Sequence, residues 1–348
     1  MTEPETSTEV STGTGAEGTT QTPPVAAVKT TRQRAIDWAR RGLIVLVICA
    51  AVYAVARQWP TVQRTVADIA PWQLGLALAV TVVGVYLGMF SWRAIVIGIS
   101  HPGRDKNVGQ VYLVGQMGKY LPGSVWAVVL QMEVGRKNGL PRSQVFVSAL
   151  VSTGVSVAAS LVVGLLAIPQ LSADHGWMRY LYFALPLLLL AMHPRVVTWA
   201  VNLVLRLLRR AQLDRPITAR SIIAAFVFAV AMYCTYGIQL WLLVRSRGGI
   251  GVENAAFLTG ALALGMTVGV IAFILPSGLG AREAVLVAAL STVMPPAVAL
   301  AFAVVSRVMF TIAELLTMTV SLAPEGPALL RAYRARRRAA AAAAVPVP

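Results

Sequence analysis

The sequence predicts an all-α polytopic membrane protein of about seven to eight transmembrane helices, one or two of them broken or re-entrant. Three observations carry this. Hydrophobic residues make up 57% of the 348 and charged residues 13%, against roughly 25% charged in soluble domains. The apolar residues fall into blocks, and about 20 residues suffice for a helix to cross a bilayer. Two blocks break at a Leu-Pro-small sequence with charge beside it: Gly118-Lys119-Tyr120-Leu121-Pro122-Gly123-Ser124, and Leu275-Pro276-Ser277-Gly278-Leu279-Gly280-Ala281-Arg282-Glu283. Unwound backbone survives at membrane depth only where it is buried in protein or lines a watery cavity. Broken helices in both halves of a chain therefore point to a binding site in the membrane.

The elements follow in order. Residues 1–31 read as a disordered acidic cytoplasmic tail, since Met1 to Val28 holds four Glu and no Lys or Arg and lacks the pattern of a signal peptide. Residues 32–322 form the membrane domain. Arg32, Arg34, Arg40 and Arg41 place the N-terminus inside, ahead of a first block at Gly42 to Ala56. A second span runs from Trp72 to Trp92. Val108 to Gly118 and Ser124 to Val134 are each too short to cross, and both ends are basic, which predicts a re-entrant hairpin from the cytoplasmic side. Gln144 to Ile168 crosses outward and Met178 to Met192 returns.

In Arg195 to Arg210, polar positions recur every three or four residues at Arg195, Thr198, Asn202, Arg206 and Arg209. That spacing predicts a basic amphipathic helix on the cytoplasmic surface, with an extension of the preceding span as the alternative. Ala219 to Val244 crosses outward, leaving Arg245 and Arg247 outside against the positive-inside trend. Phe257 to Leu275 heads in, Ala284 to Met294 returns, and Val298 to Val320 is the last inward span. Residues 323–348 are a basic, alanine-rich cytoplasmic tail. If the helix before Pro276 stops at mid-depth, the two breaks are related by inverted symmetry, as in many transporters.

A charge at the bilayer centre costs on the order of 3 kcal/mol, so each one needs a reason. Lys119 flanks the first break, where it either holds an anionic headgroup, snorkels to the surface or pairs with a carboxylate; Glu133 ends the hairpin. Ser124, after Pro122 and Gly123, would add the N–H donors of a helix start. Past Pro276, Gly278 and Gly280 come Arg282 and Glu283. Glu283 is either favoured by the helix dipole or a cavity carboxylate pairing with Arg307 or with a lipid amine. Arg307 and Glu314 sit two turns apart on one face of the last span, as a structural pair or a site. Together, Lys119, Pro122, Gly123, Ser124, Pro276, Gly278, Gly280, Arg282, Glu283, Arg307 and Glu314 are the candidate headgroup-binding residues.

No metal, cofactor or catalytic set is expected: HExxH, GxSxG, Walker and GxGxxG patterns are absent, and Cys49 and Cys234 stand alone inside apolar blocks. The net charge of +16 reads as cytoplasmic loops facing anionic lipid, not as a nucleic-acid surface.

The strings Lys119-Tyr120-Leu121-Pro122-Gly123-Ser124-Val125-Trp126 and Leu275-Pro276-Ser277-Gly278-Leu279-Gly280-Ala281-Arg282-Glu283-Ala284 resemble the two signatures of the flippase-like family. That family is built on the transmembrane region of lysylphosphatidylglycerol synthases. Arg307 resembles the arginine of its last helices, and the similarity covers roughly Arg32 to Leu322. In two-part members a soluble domain aminoacylates phosphatidylglycerol and the membrane part moves the product. The sequence stops soon after its last span, so the resemblance implies the membrane part without the synthase.

The expected function is a flippase of the bacterial cytoplasmic membrane, not an enzyme. It would move an anionic or amino-modified phospholipid or a lipid-linked sugar, with both termini cytoplasmic. The usage of 26 Arg against 4 Lys fits a GC-rich bacterial genome. The first alternative is a non-catalytic membrane partner of a glycosyltransferase or cell-envelope complex. The second is a membrane-embedded transferase, for which the expected outer loop Arg57 to Pro71 offers only Asp68 as an acid.

Overall fold

The computed structural model describes residues 56, 59–99, 108–120, 125–171, 180, 182–210, 212–213, 216–247, 251–272 and 280–323. Contacts divide the chain after Gly42, and all of these residues fall in the second unit, Leu43–Pro348. The first apolar block, both tails and the residues 121–124 and 273–279 of the two breaks lie outside the described residues.

The described residues are helical, in order α1 (Trp59–Ala67), α2 (Pro71–Ile99), α3 (Val108–Gly115), a 3-10 turn (Gln116–Tyr120), α4 (Val125–Lys137), α5 (Arg142–Gly164), α6 (Ala184–Ala191), α7 (Pro194–Leu207), α8 (Ala219–Val244), α9 (Ala255–Ile271), α10 (Ala281–Leu290) and α11 (Pro296–Leu322). A 3-10 turn and one further α turn extend α5 to Leu171. Five helices are long and apolar enough to span: α2, α5 with its extension, α8, α9 with its lead-in, and α11; a sixth arises if α6 and α7 count as one bent span. The chain is a multi-pass α-helical membrane protein. The described spans are fewer than the seven to eight expected, for three local reasons.

First, Ala284 to Met294 was expected to return across the bilayer, but α10 has 10 residues, about 15 Å at 1.5 Å per residue, half a bilayer. Second, the α-helix described within Met178 to Met192 is the 8-residue α6. It bends by 69° into α7 at His193-Pro194, where proline forces the preceding residue out of the helical region (His193 φ −60, ψ 134). Third, the first apolar block lies, but for Ala56, outside the described residues. The stretch expected as an outer loop holds α1, packed on α11, with Thr65 and Ile69 buried.

The α2–α8 pair is the spine. Along α2, Ala77, Thr81, Gly84, Gly88 and Ser91 form a buried stripe of small residues, which lets backbones approach closely in a bilayer where no hydrophobic drive exists. A Cβ on Gly84 would collide with Tyr236 and Thr235 of α8, and the Ser91 hydroxyl donates to the Ala225 carbonyl at 2.8 Å. Helices α5, α9 and α11 pack around this pair, and α10 wedges between α9 and α11. The expected hairpin is present: α3 and α4, with 8 and 13 residues, pack on each other and against α11 and α5 respectively.

Two helix ends share one mechanism. After α4, Gly139 takes φ 81, its N–H bonds to Arg136 and that of Leu140 to Gly135, a Schellman stop readable in Asn138-Gly139-Leu140-Pro141. After α7 the same pattern uses Arg209 at φ 53, with Arg209 N–H on Arg206 and Arg210 N–H on Leu205.

Candidate functional site

Between α2, the α3–α4 hairpin, α5, α8, α9, α10 and α11 lies a cavity of about 490 Å³. Lys119, Arg282, Arg307 and Glu314 line it together with Trp92, Tyr112, Gln131, Ser156, Tyr233, Tyr236 and Phe310. The volume falls in the range of small-molecule sites, roughly 300–1,000 Å³. Both breaks flank it: the 3-10 turn before the first supplies Lys119 and Tyr120, and the helix after the second supplies Arg282.

Each charged group reaches the cavity for a local reason. Gly118 brings the 3-10 turn onto the backbone of α4, where a Cβ would meet the Trp126 carbonyl and the Ala127 backbone. Lys119 next to it bonds Glu314. Tyr120 donates its hydroxyl to the other oxygen of Glu314 at 2.5 Å. On α11, Arg307, Phe310 and Glu314 share one face by helical spacing. At the start of α10, Gly280 adopts φ 85, a conformation that disfavours a side chain. Its N–H donates to Glu283 at 2.8 Å. The second Glu283 oxygen lies 3.7 Å from Arg307, an ion-pair distance beyond hydrogen-bond range.

Arg282 is different. It is 6% exposed, and its guanidinium sits 4.3 Å over the Phe310 ring. Among the described residues it makes no hydrogen bond or ion pair, and Glu283 and Glu314 act on it through charge alone. A buried cation normally pairs with a carboxylate, since burial costs several kcal/mol per ion. A guanidinium carries five donors in a planar fork and a ring face satisfies none of them.

Three further buried atoms of this cluster and its wall have no hydrogen-bond partner: the Trp92 ring nitrogen, the Gln131 carbonyl oxygen and the Glu283 oxygen that faces Arg307. Around them stands a hydroxyl-rich wall. Ser152, Thr153 and Ser156 of α5 line the cavity with Tyr233, and Ser156 and Tyr233 share a hydrogen bond of 2.8 Å.

The structure thus brings five of the eleven expected residues, Lys119, Arg282, Glu283, Arg307 and Glu314, into one cluster, with Gly280 setting up Glu283. Pro122, Gly123, Ser124, Pro276 and Gly278 lie outside the described residues. Three alternatives resolve. Lys119 pairs with a carboxylate, Glu283 both caps its helix and faces Arg307, and Arg307 and Glu314 pair with other residues, not with each other. Glu133 stands apart from the cavity in an exposed cluster with Arg136 and Arg142 at 2.6 and 2.7 Å. Hydrogen bonds from Arg136 and Arg142 hold its carboxyl down to about 2.

Sequence reasoning passed over the polar wall. Its signal was present in Ser152-Thr153 and Ser156, polar residues inside an otherwise apolar span. Gln131 and Trp92 carried no such signal, because only packing brings them to the cavity wall.

The family model for the lysylphosphatidylglycerol synthase TM region matches residues 42–316, which include the whole cavity. Among curated proteins the comparison gives no match. The match runs through both breaks and most of α11, so the chain belongs to the lysylphosphatidylglycerol synthase TM region family.

Proposed function

We propose that the chain is a lipid translocator of the bacterial cytoplasmic membrane, both termini cytoplasmic, which shelters a lipid headgroup in the cavity while the acyl chains stay in the bilayer. It acts as a transporter and not as an enzyme. Its substrate is an anionic or amino-modified phospholipid or a lipid-linked sugar, consistent with a family named for lysylphosphatidylglycerol. The observation that carries this is the buried Arg282 guanidinium lining the cavity over the Phe310 ring, with no hydrogen bond to it from the described residues.

The physical logic is desolvation. Moving an isolated charged headgroup through hydrocarbon costs tens of kcal/mol by Born solvation. Fixed cations and hydroxyls along a sheltered route replace the lost water. Lys119, Arg307 and Arg282 provide the cations, and Ser152, Ser156 and Tyr233 the hydroxyls. No nucleotide-binding pattern occurs in the sequence, so movement is passive or coupled to an ion gradient.

The test is reconstitution in liposomes with headgroup-labelled phosphatidylglycerol, reading the fraction accessible to an external quencher. Wild type should expose about all of the label and Arg282→Gln about half, as in protein-free vesicles. Equal accessibility for wild type and empty vesicles would end the translocator reading and favour a membrane partner of an envelope-building enzyme.

A further inference from the structure

We propose that Glu314 is a proton site of the cavity: a headgroup phosphate draws Lys119 away from it, and Glu314 takes up one proton as the lipid enters. This rests on reading the cavity as a headgroup site. It needs only the phosphate that the candidate substrates share, with or without an amine.

Charge sets the first condition. Lys119, Arg282, Arg307 and Glu314 line one cavity, so a phosphate seated among the cations lies near the Glu314 carboxylate. Two anions repel strongly in a medium of low dielectric. Lys119 is the cation bonded to Glu314, and it is the one able to turn: an ammonium on a flexible stem, its side chain 27% exposed. Once it turns to the phosphate, Glu314 is left without its cation at a side-chain exposure of 9%. Burial then favours the neutral carboxyl. One phosphodiester charge and one proton cancel, so the loaded cavity carries the net charge of the empty one.

Hydrogen bonding sets the second condition, since the new O–H needs an acceptor. Tyr120 donates to Glu314 at 2.5 Å. A phenol hydroxyl also accepts, so the contact can reverse, with the Glu314 O–H donating to Tyr120. The Tyr120 hydroxyl then has Thr311 Oγ1 to donate to, at 3.4 Å. Tyr120 is 36% exposed, which gives a proton from water a way in. The other carboxylate of the cluster lacks this exchange. Glu283 lies off the lining, accepts from the Gly280 backbone and faces Arg307.

The groups that act on Glu314 through charge come from several elements: Lys119 and Tyr120 of the 3-10 turn, Tyr112 of α3, Tyr236 of α8 and Arg282 of α10. Arg307 lies two turns away on α11 itself. On the other helices packed against α11, Arg64 of α1 and Arg93 of α2 are exposed, and Tyr86 of α2 packs in the cluster that holds Ala313. Tyrosine, arginine and lysine side chains ordinarily hold their protons at pH 7, so the carboxylate is the group left to accept one.

The test is titration calorimetry of the full chain in detergent with dihexanoyl phosphatidylglycerol, repeated in buffers of different ionisation enthalpy to count protons. Wild type should take up close to one proton per bound lipid. Its affinity should rise as pH falls, by at most about tenfold per unit for one linked proton. Glu314→Gln, whose amide stands in for the neutral carboxyl, should bind at least as tightly, without proton uptake or pH dependence; retained binding also shows that it folds. Should it not fold, infrared difference spectra of wild type decide: the stretch of a protonated carboxyl should appear on lipid binding, and its absence overturns the proposal. No proton uptake by wild type, unchanged uptake in Glu314→Gln, or no binding of the lipid overturns it as well. Glycerophosphoglycerol should bind more weakly than the lipid; equal affinity assigns the site to a soluble phosphodiester and overturns its lipid source. The translocator reading fails separately: proton-linked binding without movement in liposomes sinks it and leaves the proton site standing. Movement without proton uptake does the reverse.

Discussion

Five ionic residues near one cavity carry most of what this chain says about function, and they differ in what each can lose. Lys119 and Glu314 are a matched pair, with Glu314 7% exposed. Removing one partner of a buried pair strands the other, which costs on the order of 3 kcal/mol. Lys119→Ala should therefore lower the thermal midpoint of the purified protein, with only the Tyr120 bond left on Glu314. The double variant Lys119→Ala, Glu314→Gln should recover much of that loss, because no uncompensated charge remains. Additive losses in a thermal-shift series would mean the two residues do not interact. Arg282→Gln should cost little stability or raise it, since it removes a buried charge that makes no ion pair or hydrogen bond to a carboxylate among the described residues.

At this scale the sequence exposed the charges but not their partners. A lysine or glutamate inside an apolar block is conspicuous because the bilayer makes it costly. That Lys119 meets Glu314, far along the chain, depends on how α3, α4 and α11 pack, and no local pattern encodes it. Arg282 was legible as a site residue, yet its seat over Phe310 was not.

Helix by helix, the fold was legible wherever length and punctuation agree. The spans α2, α8 and α11, the hairpin of two half-length helices and the amphipathic α7 all follow from apolar length, proline and polar spacing. In α7, Val197, Val201 and Leu205 are buried while Trp199, Leu203 and Leu207 form an exposed apolar stripe. A nitroxide at Leu203 should accordingly sit shallow, near the headgroup boundary, in depth measurements by electron paramagnetic resonance. A mid-bilayer depth would make α7 part of a span.

The lost spans fail on length. Ala284 to Met294 is apolar but no longer than either half of the first hairpin, too short to cross, and α10 ends at Leu290. The breaks are consequently unequal: α3 and α4 are both short, whereas α9 with its lead-in is long enough to span and α10 is short.

Glycines separate sharply at this scale. Gly118→Ala places its methyl against the backbone of α4, which cannot yield, so it should cost about 1–3 kcal/mol and loosen the turn that presents Lys119. Gly88→Ala meets the ends of the Met232 and Tyr112 side chains, which can move, and should cost less. Comparable thermal midpoints for the two variants would contradict the packing of the turn on α4. Glu133 offers a control outside the cavity. Its carboxyl is held down to about 2 by Arg136 and Arg142, so its link to the α5 start persists above the unfolded value of about 4.3. The link is lost only as pH falls toward 2, in carbon-detected titration of that residue.

For the whole molecule, a bilayer-spanning bundle holds a polar cavity whose described lining has Lys119, Arg282 and Arg307 against Glu314, with Glu283 beside Arg307. The family match covers that bundle. The most direct test of a lipid headgroup in this cavity is native mass spectrometry of gently purified wild type beside Arg282→Gln, reading which lipids remain attached. The account predicts one anionic lipid class retained by wild type and lost in the variant at unchanged fold. The same lipids on both proteins would contradict it.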